Sequence, residues 1–117
     1  MTALATRLRL KTIQAFDRLQ LRRLCEQHPG VRLHPDSSTN CASCHFELAP
    51  GARLEIGPRV YTERRQHGVY FSIAVGASVE IGADSWLRSD LAPVLIFAYP
   101  GARIRIGSEG FLNGCHL

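Results

Sequence analysis

Two cysteines followed by a histidine form the most concentrated group of reactive side chains in the sequence. The segment Cys41-Ala42-Ser43-Cys44-His45 matches the Cys-x-x-Cys-His pattern that attaches c-type haem. The two thiols, together with His34 and His45, also have the residue types of a tetrahedral zinc site. The second Cys-x-x-Cys that usually completes such a site is absent from the sequence. We therefore expect no bound metal and two partly buried, reduced thiols, with haem and zinc as the alternatives.

His116 is the candidate for catalysis, because it is the histidine that lies within a well-formed repeat, in the last of the copies. An uncharged imidazole can take a proton from a hydroxyl group, which is the role of a general base. The alternative is an exposed or stacked side chain without a catalytic role. His67 lies in a charged stretch and indicates a surface residue or a contact to a substrate. Asn113 is typical of a corner, since asparagine tolerates left-handed backbone, and the isolated Cys25 and Cys115 predict no disulfide framework.

Composition predicts one small globular domain. The chain has 117 residues, of which 45% are hydrophobic and 21% charged, which excludes a disordered chain. Its net charge of +4 lies entirely in residues 1–28, so the remainder carries no basic surface for a nucleic-acid partner. No run of apolar residues is long enough to span a membrane, and basic residues interrupt the start of the chain where a signal peptide would be apolar. We expect a cytoplasmic protein.

Residues 1–28 form a separate region, for which the sequence predicts a basic amphipathic helix over residues 8–27. The helix ends at His28-Pro29-Gly30, since proline cannot continue the helical hydrogen bonds. Either the apolar side chains cover the end of the next element, or the helix lies on an anionic membrane surface as a peripheral contact. The apolar stripe consists of Leu10, Ile13, Phe16, Leu19 and Leu24, with Ala15 and Leu21 beside them.

Three copies of one pattern follow at a constant spacing. Gly-Ala begins at 51, 76 and 101, and Ile-Gly begins at 56, 81 and 106, so equivalent positions differ by 25 in number. An aromatic residue closes each copy, at Tyr61, Trp86 and Phe111. A fainter copy begins at Pro29-Gly30 and precedes Pro50-Gly51 at a shorter spacing. Within each copy aliphatic and polar residues alternate, which predicts short strands with one buried face.

A corner follows each short strand, because the glycines allow a positive φ at no steric cost. Strands and corners at this spacing wind into coils, and the coils stack so that Ile56, Ile81 and Ile106 form one inward column. Residues 62–70 and 87–95 are excursions from the coils. The predicted fold is all-β: a parallel β-helix of about three to four coils over residues 29–117, preceded by an α-helix. Its last coil is incomplete.

These repeats resemble the hexapeptide-repeat acyltransferase superfamily. The Ile-Gly pairs, residues 100–107 (Pro-Gly-Ala-Arg-Ile-Arg-Ile-Gly) and residues 110–117 (Gly-Phe-Leu-Asn-Gly-Cys-His-Leu) carry the resemblance, which is greatest to the N-terminal part of sugar and polysaccharide O-acetyltransferases. It implies a left-handed helix, a homotrimer, and acyl transfer from acetyl-CoA to a sugar-type acceptor. Within this sequence His116 is the candidate base. In the family, however, the coenzyme contacts and the catalytic histidine typically lie in later coils than those matched here, so no cofactor-binding residue is assigned. The alternative is that this chain corresponds to the N-terminal part of such an enzyme, without its catalytic half.

Two other functions stay open from the sequence. Similar coils occur in β-solenoids without catalytic activity, so a scaffold protein that assembles end to end is the first alternative. A small haem- or zinc-binding protein built on Cys41, Cys44 and His45 is the second.

Overall fold

A computed structural model describes residues 3–64 and 67–117. In these residues one α-helix precedes ten short strands that wind into a parallel β-solenoid of about three turns. The predicted fold class is confirmed, while the left-handed sense of winding stays a prediction. The elements are α1 (Ala3–Gln27), β1 (Val31–Leu33), a 3₁₀ helix (Thr39–Ser43), β2 (His45–Leu48), β3 (Arg53–Ile56), β4 (Tyr61–Thr62), β5 (Val69–Ile73), β6 (Ser78–Ile81), β7 (Trp86–Arg88), β8 (Val94–Ala98), β9 (Arg103–Ile106) and β10 (Phe111–Asn113).

The strands form three parallel sheets, one for each side of the solenoid. Sheet A has the order β1-β3-β6-β9, sheet B the order β2-β5-β8, and sheet C the order β4-β7-β10. From β2 to β10 the register follows the sequence repeat, so Ile56 pairs with Ile81 and Ile81 with Ile106. The predicted column of isoleucines is confirmed. Leu54, Phe71, Val79 and Ile81 are among the buried side chains of the core between the sheets.

The first strand departs from the predicted register. The sequence aligns Pro29-Gly30 with Pro50-Gly51 and so predicts Val31 opposite Ala52, whereas Val31 pairs with Leu54, two positions further on. A shift of two residues leaves the same side chains facing the core, because side chains alternate along a strand. It also brings Gly30 against the next coil, where an added Cβ would lie 2.1 Å from the carbonyl oxygen of Ala52.

Glycines serve the corners in two different ways. Gly51, Gly76 and Gly101 have φ between 70° and 79°, as the sequence predicts. In the second corner the left-handed residues are Arg59, Asp84 and Glu109, which lie two positions after the Ile-Gly glycines. The prediction that those glycines take positive φ is therefore wrong. Their role is close stacking of coils, as the surroundings of Gly82 show below.

The predicted excursions are shorter than expected. Strands β4, β5, β7 and β8 take up the two ends of each excursion, and the described residues left between the strands are 63, 64, 67, 68 and 89–93. Arg65 and Gln66, which belong to the first excursion, lie outside the described residues.

No helix in the described ranges 3–64 and 67–117 has the length and apolar character needed to cross a bilayer.

Helix α1 packs against the first coil through a narrower face than predicted. Leu24 and Cys25 contact the core, while Leu10, Phe16 and Leu19 of the predicted stripe are exposed. Residues 3–12 of the helix are all exposed, so the contact with the first coil is made by its C-terminal part. The peripheral membrane contact expected of this helix stays a prediction.

A buried ion pair fastens the helix to the second coil. Asp17 is 2% exposed and its carboxylate accepts a hydrogen bond from the guanidinium of Arg64, which follows β4. Asp17 is the one buried residue of α1. Since an unpaired buried carboxylate is costly, this contact fixes where the helix lies.

Candidate functional site

His116 lies on the outer surface of sheet B, one rung beyond β8. Leu95 donates its backbone N–H to Cys115 O at 2.7 Å and accepts one from Leu117 at 2.8 Å, which pairs His116 with Leu95. The imidazole is exposed and packs edge-to-face against Phe97, with ring centroids 5.0 Å apart. The side chain is therefore open to solvent on this surface.

The same outward column continues back along sheet B. Tyr70 pairs with Leu95, and His45 pairs with Tyr70. The His45 and Tyr70 rings stack at 4.3 Å with an interplanar angle of 7°. His116 and His45 thus lie at opposite ends of one column. Among the described residues no carboxylate pairs with His116, so a base at this position would rely on Phe97 alone for its orientation.

The two remaining polar candidates, His67 and Asn113, lie in other parts of the solenoid. His67 is in the left-handed region, with φ of 53°, in the corner between β4 and β5. Asn113 is the last residue of β10, where it pairs with Arg88. The left-handed corner expected at Asn113 is at Gly114 instead, with φ of 47°, so that prediction is wrong by one residue.

Cys41 lies in the 3₁₀ helix, and Cys44 is the extended residue that caps its C-terminal end. The N–H of Cys44 donates to Cys41 O at 3.1 Å, which holds the two residues together. The hydrogen bond that the Cys44 thiol gives to Cys41, together with burial, raises the pKa of Cys44 well above its ordinary value. Accepting that bond lowers the pKa of Cys41.

The haem and zinc alternatives lose support from this arrangement. Cys41 is 0% exposed, so its sulfur is closed to the edge of a haem. His34 accepts a hydrogen bond from the N–H of Asp36 through Nδ1, and His45 stacks on Tyr70. Within residues 3–64 and 67–117, no three histidine, cysteine or acidic side chains are grouped as metal ligands. Of the four candidate ligands, the two cysteines contact each other, while the two histidines make contacts with other residues.

The thiol pair predicts a loss of stability at alkaline pH. Above about pH 9 both thiols of the unfolded chain ionise, whereas the folded pair retains the proton of Cys44. The folded state then binds about one more proton, so the free energy of unfolding should fall by about 1.4 kcal/mol per pH unit. Denaturant melts above about pH 9 measure this slope, since at lower pH the lowered pKa of Cys41 acts in the opposite sense. The double variant Cys41→Ala/Cys44→Ala should have a shallower one, and equal slopes would contradict the prediction.

Sequence reasoning missed a charged groove on the outer surface of sheet A. Its volume is about 870 Å³, and Gly51 and Gly76 are among the residues that line it. Two outward columns of sheet A supply its three arginines and two glutamates: Arg32, Glu55 and Glu80 in one column, and Arg53 and Arg103 in the other. In the described part of the chain, Arg32 and Arg53 make no ion pair with a carboxylate, which favours an anionic ligand. The sequence contained a signal for this groove, because its charged residues occupy the positions that alternate with the buried aliphatic residues of the repeat.

Comparison with known proteins adds no identification. No protein-family model, no curated protein and no solved structure matches this chain.

Proposed function

We propose that this protein is a coenzyme A-dependent acyltransferase that acylates a hydroxyl group of a sugar-type acceptor. The observation that supports the proposal most is the columnar solenoid with Ile-Gly corners, which presents an exposed imidazole at His116. The active assembly in this proposal is a cytoplasmic homotrimer, in which a neighbouring subunit closes the open surface around His116.

His116 acts as the general base in the proposed reaction. Its neutral imidazole takes the proton of the acceptor hydroxyl while the hydroxyl oxygen attacks the thioester carbonyl carbon. The carbon–sulfur bond then breaks, and the imidazolium returns the proton to the leaving thiolate. Backbone N–H groups stabilise the oxyanion formed between these two steps.

The groove on sheet A is consistent with an anionic donor, and because His116 lies on sheet B, the proposal needs a neighbouring subunit of the trimer to bring the groove and His116 together. Coenzyme A carries phosphate groups, and Arg32 and Arg53 are guanidinium groups that form no ion pair within the described part of the chain. Arginine binds phosphate oxygens with two parallel hydrogen bonds, which favours this residue over lysine for such contacts.

Calorimetry with acetyl-CoA and with free coenzyme A tests the proposal. We expect saturable binding of both, weakened by salt because the contacts are ionic. Absence of binding heat for both compounds would overturn the acyltransferase proposal.

The role of His116 has its own test. His116→Asn should lower the rate of thiol release from acetyl-CoA by about 100-fold, since a general base contributes roughly that much or more. The affinity for coenzyme A should stay within about twofold, because the side chain acts on the acceptor and not on the donor. His45→Asn, at the other end of the same column, is the matched control and should retain full activity. Equal activity of both variants would exclude His116 as the base.

A non-catalytic scaffold is the second candidate, favoured by the exposed edges of β9 and β10. Ile104, Ile106 and Leu112 point inward there but are only half-buried. At the other end of the solenoid, α1 packs against β1, so endless end-to-end growth requires the helix to leave. Filaments in electron micrographs, without coenzyme A binding, would support this candidate over the enzyme.

A further inference from the structure

Helix α1 carries a second row of apolar side chains, which is exposed along its whole length. We call this row the outer stripe, and it consists of Leu4, Leu8, Ala15 and Leu19, at spacings of four, seven and four. At 3.6 residues per turn these spacings place the four side chains within about 60° of one another around the helix axis. All four residues are exposed, and the three leucines are 68%, 57% and 42% exposed.

The contact with the solenoid uses the opposite side of the helix. Asp17 pairs with Arg64, and Leu24 packs against the core of the solenoid. Both residues lie about 180° around the helix axis from the outer stripe. The helix can therefore contact a second surface through the outer stripe and remain packed against the first coil.

Basic residues border the outer stripe on both sides. Lys11 and Arg18 lie on one flank, and Arg9 and Arg23 lie on the other. All four are exposed, and none of them forms an ion pair with a carboxylate within the described part of the chain. Long basic side chains lay their methylene groups along an apolar surface and extend their charges into the polar region beside it.

The charge of the helix indicates which surface it would contact. Six exposed basic residues face one exposed acidic residue, Glu26, because Asp17 is buried in its pair with Arg64. An apolar row bordered by basic residues matches the interface of an anionic bilayer, where acyl chains lie beneath negatively charged headgroups. A nucleic acid would attract the basic residues but would place the leucines of the outer stripe against charged phosphates.

We propose that the outer stripe of α1 binds the surface of an anionic membrane, with the helix axis parallel to the bilayer. Leu4, Leu8 and Leu19 enter the boundary between headgroups and acyl chains, and the flanking basic residues contact the anionic headgroups. The helix keeps its contacts with the first coil in this arrangement, so the protein binds the membrane in its folded form.

Flotation of the intact protein with lipid vesicles tests this proposal. We expect binding to phosphatidylcholine vesicles that contain about 30% phosphatidylserine, and at least about tenfold weaker binding to vesicles of phosphatidylcholine alone. High salt should weaken the binding, because it screens the exposed charges. Absence of binding to the anionic vesicles, or equal binding to both kinds of vesicle, would overturn the proposal.

Two leucine variants locate the contact on the helix. Leu8→Gln removes a member of the outer stripe and should weaken binding to the anionic vesicles at least about tenfold. Leu10→Gln is the matched control: Leu10 is 54% exposed against 57% for Leu8, but it lies about 150° around the helix axis from the outer stripe. This control should bind within about twofold of the unmodified protein. Equal losses in the two variants would overturn the proposal, with circular dichroism reporting that both are folded.

The charged flank has its own variant. Lys11→Gln/Arg18→Gln retains the outer stripe and should weaken binding to the anionic vesicles by about fivefold for each charge removed. Unchanged binding by this variant would overturn the proposal. Tighter binding of the intact protein to duplex DNA than to the anionic vesicles, or an oligomer that Leu8→Gln dissociates in sedimentation, would overturn it in favour of a nucleic acid or a second copy.

Discussion

Replacing Arg64 with alanine is expected to lower the free energy of unfolding by about 3–5 kcal/mol, as for other buried ion pairs that lose one partner. The substitution leaves the carboxylate of Asp17, which is 2% exposed, without its guanidinium. Neither α1 nor the first coil offers another cation in an ion pair with Asp17 in the described ranges. Chemical denaturation at neutral pH measures the effect. Helix α1 should also become more sensitive to proteolysis, because the contact fixes it to the second coil.

The asymmetry of the pair provides a second check. Asp17→Asn should cost less, about 1 kcal/mol, because Arg64 is 30% exposed and its charge can turn toward water. The matched control is Arg59→Ala, which breaks an exposed pair with Asp84 and should cost far less than Arg64→Ala, because water screens exposed ion pairs. If Arg64→Ala and Arg59→Ala cost the same, the Asp17 contact does not stabilise the fold as argued.

Gly82→Ala is expected to destabilise the solenoid by about 3 kcal/mol, the upper part of the range for overpacked sites. The new Cβ would lie 2.6 Å from backbone atoms of Gly107 and Ser108. Relief requires the coils that contain Gly82 and Gly107 to separate, which stretches the hydrogen bond from Gly82 N to Ile106 O at 2.8 Å. Thermal and chemical melts measure the loss.

The equivalent substitution one coil further along is the control. Gly107→Ala meets no described atom within 4 Å and should change stability by less than about 1 kcal/mol, with stabilisation the expected sign. The two variants differ only in the presence of a stacked backbone. Equal destabilisation would show that the close approach at Gly82 is not the reason for its glycine.

The regular part of the fold could be read from the sequence because its cause is local and repeated. Alternation places Ile56, Ile81 and Ile106 on one face, and their constant spacing brings them into one column. The aromatic residues Tyr61, Trp86 and Phe111 follow the same rule and form an outward column, with successive rings edge-to-face.

The features that the sequence did not predict depend on contacts between segments that are not copies of one another. The buried face of α1 includes Asp17, which the predicted hydrophobic stripe left out. Asp17 is buried because it pairs with Arg64, a residue far away in the sequence. The register of β1 departs from the repeat, with Val31 opposite Leu54. The groove on sheet A depends on outward residues, whose types the solenoid does not restrict.

The candidate site was only partly accessible from the sequence. His116 could be singled out by its place in the repeat, but its contact with Phe97 depends on how the segment after β10 pairs with β8. The Cys-x-x-Cys spacing predicted that two thiols would meet. It did not predict that Cys41 would be closed to solvent, since that requires the packing of α1 and the first coil over the 3₁₀ helix.

Local unfolding should begin at one particular end of the solenoid. The ion pair between Asp17 and Arg64 stabilises one end, whereas the edge of β9 and β10 at the other end is exposed. Each turn of a solenoid is stabilised by its immediate neighbours, so local opening begins where a turn has a neighbour on one side only. The turn that contains β9 and β10 should unwind first and exchange its amide hydrogens fastest. The middle turn, held on both sides, should exchange its amide hydrogens slowest, so the solenoid opens as a sequence of turns.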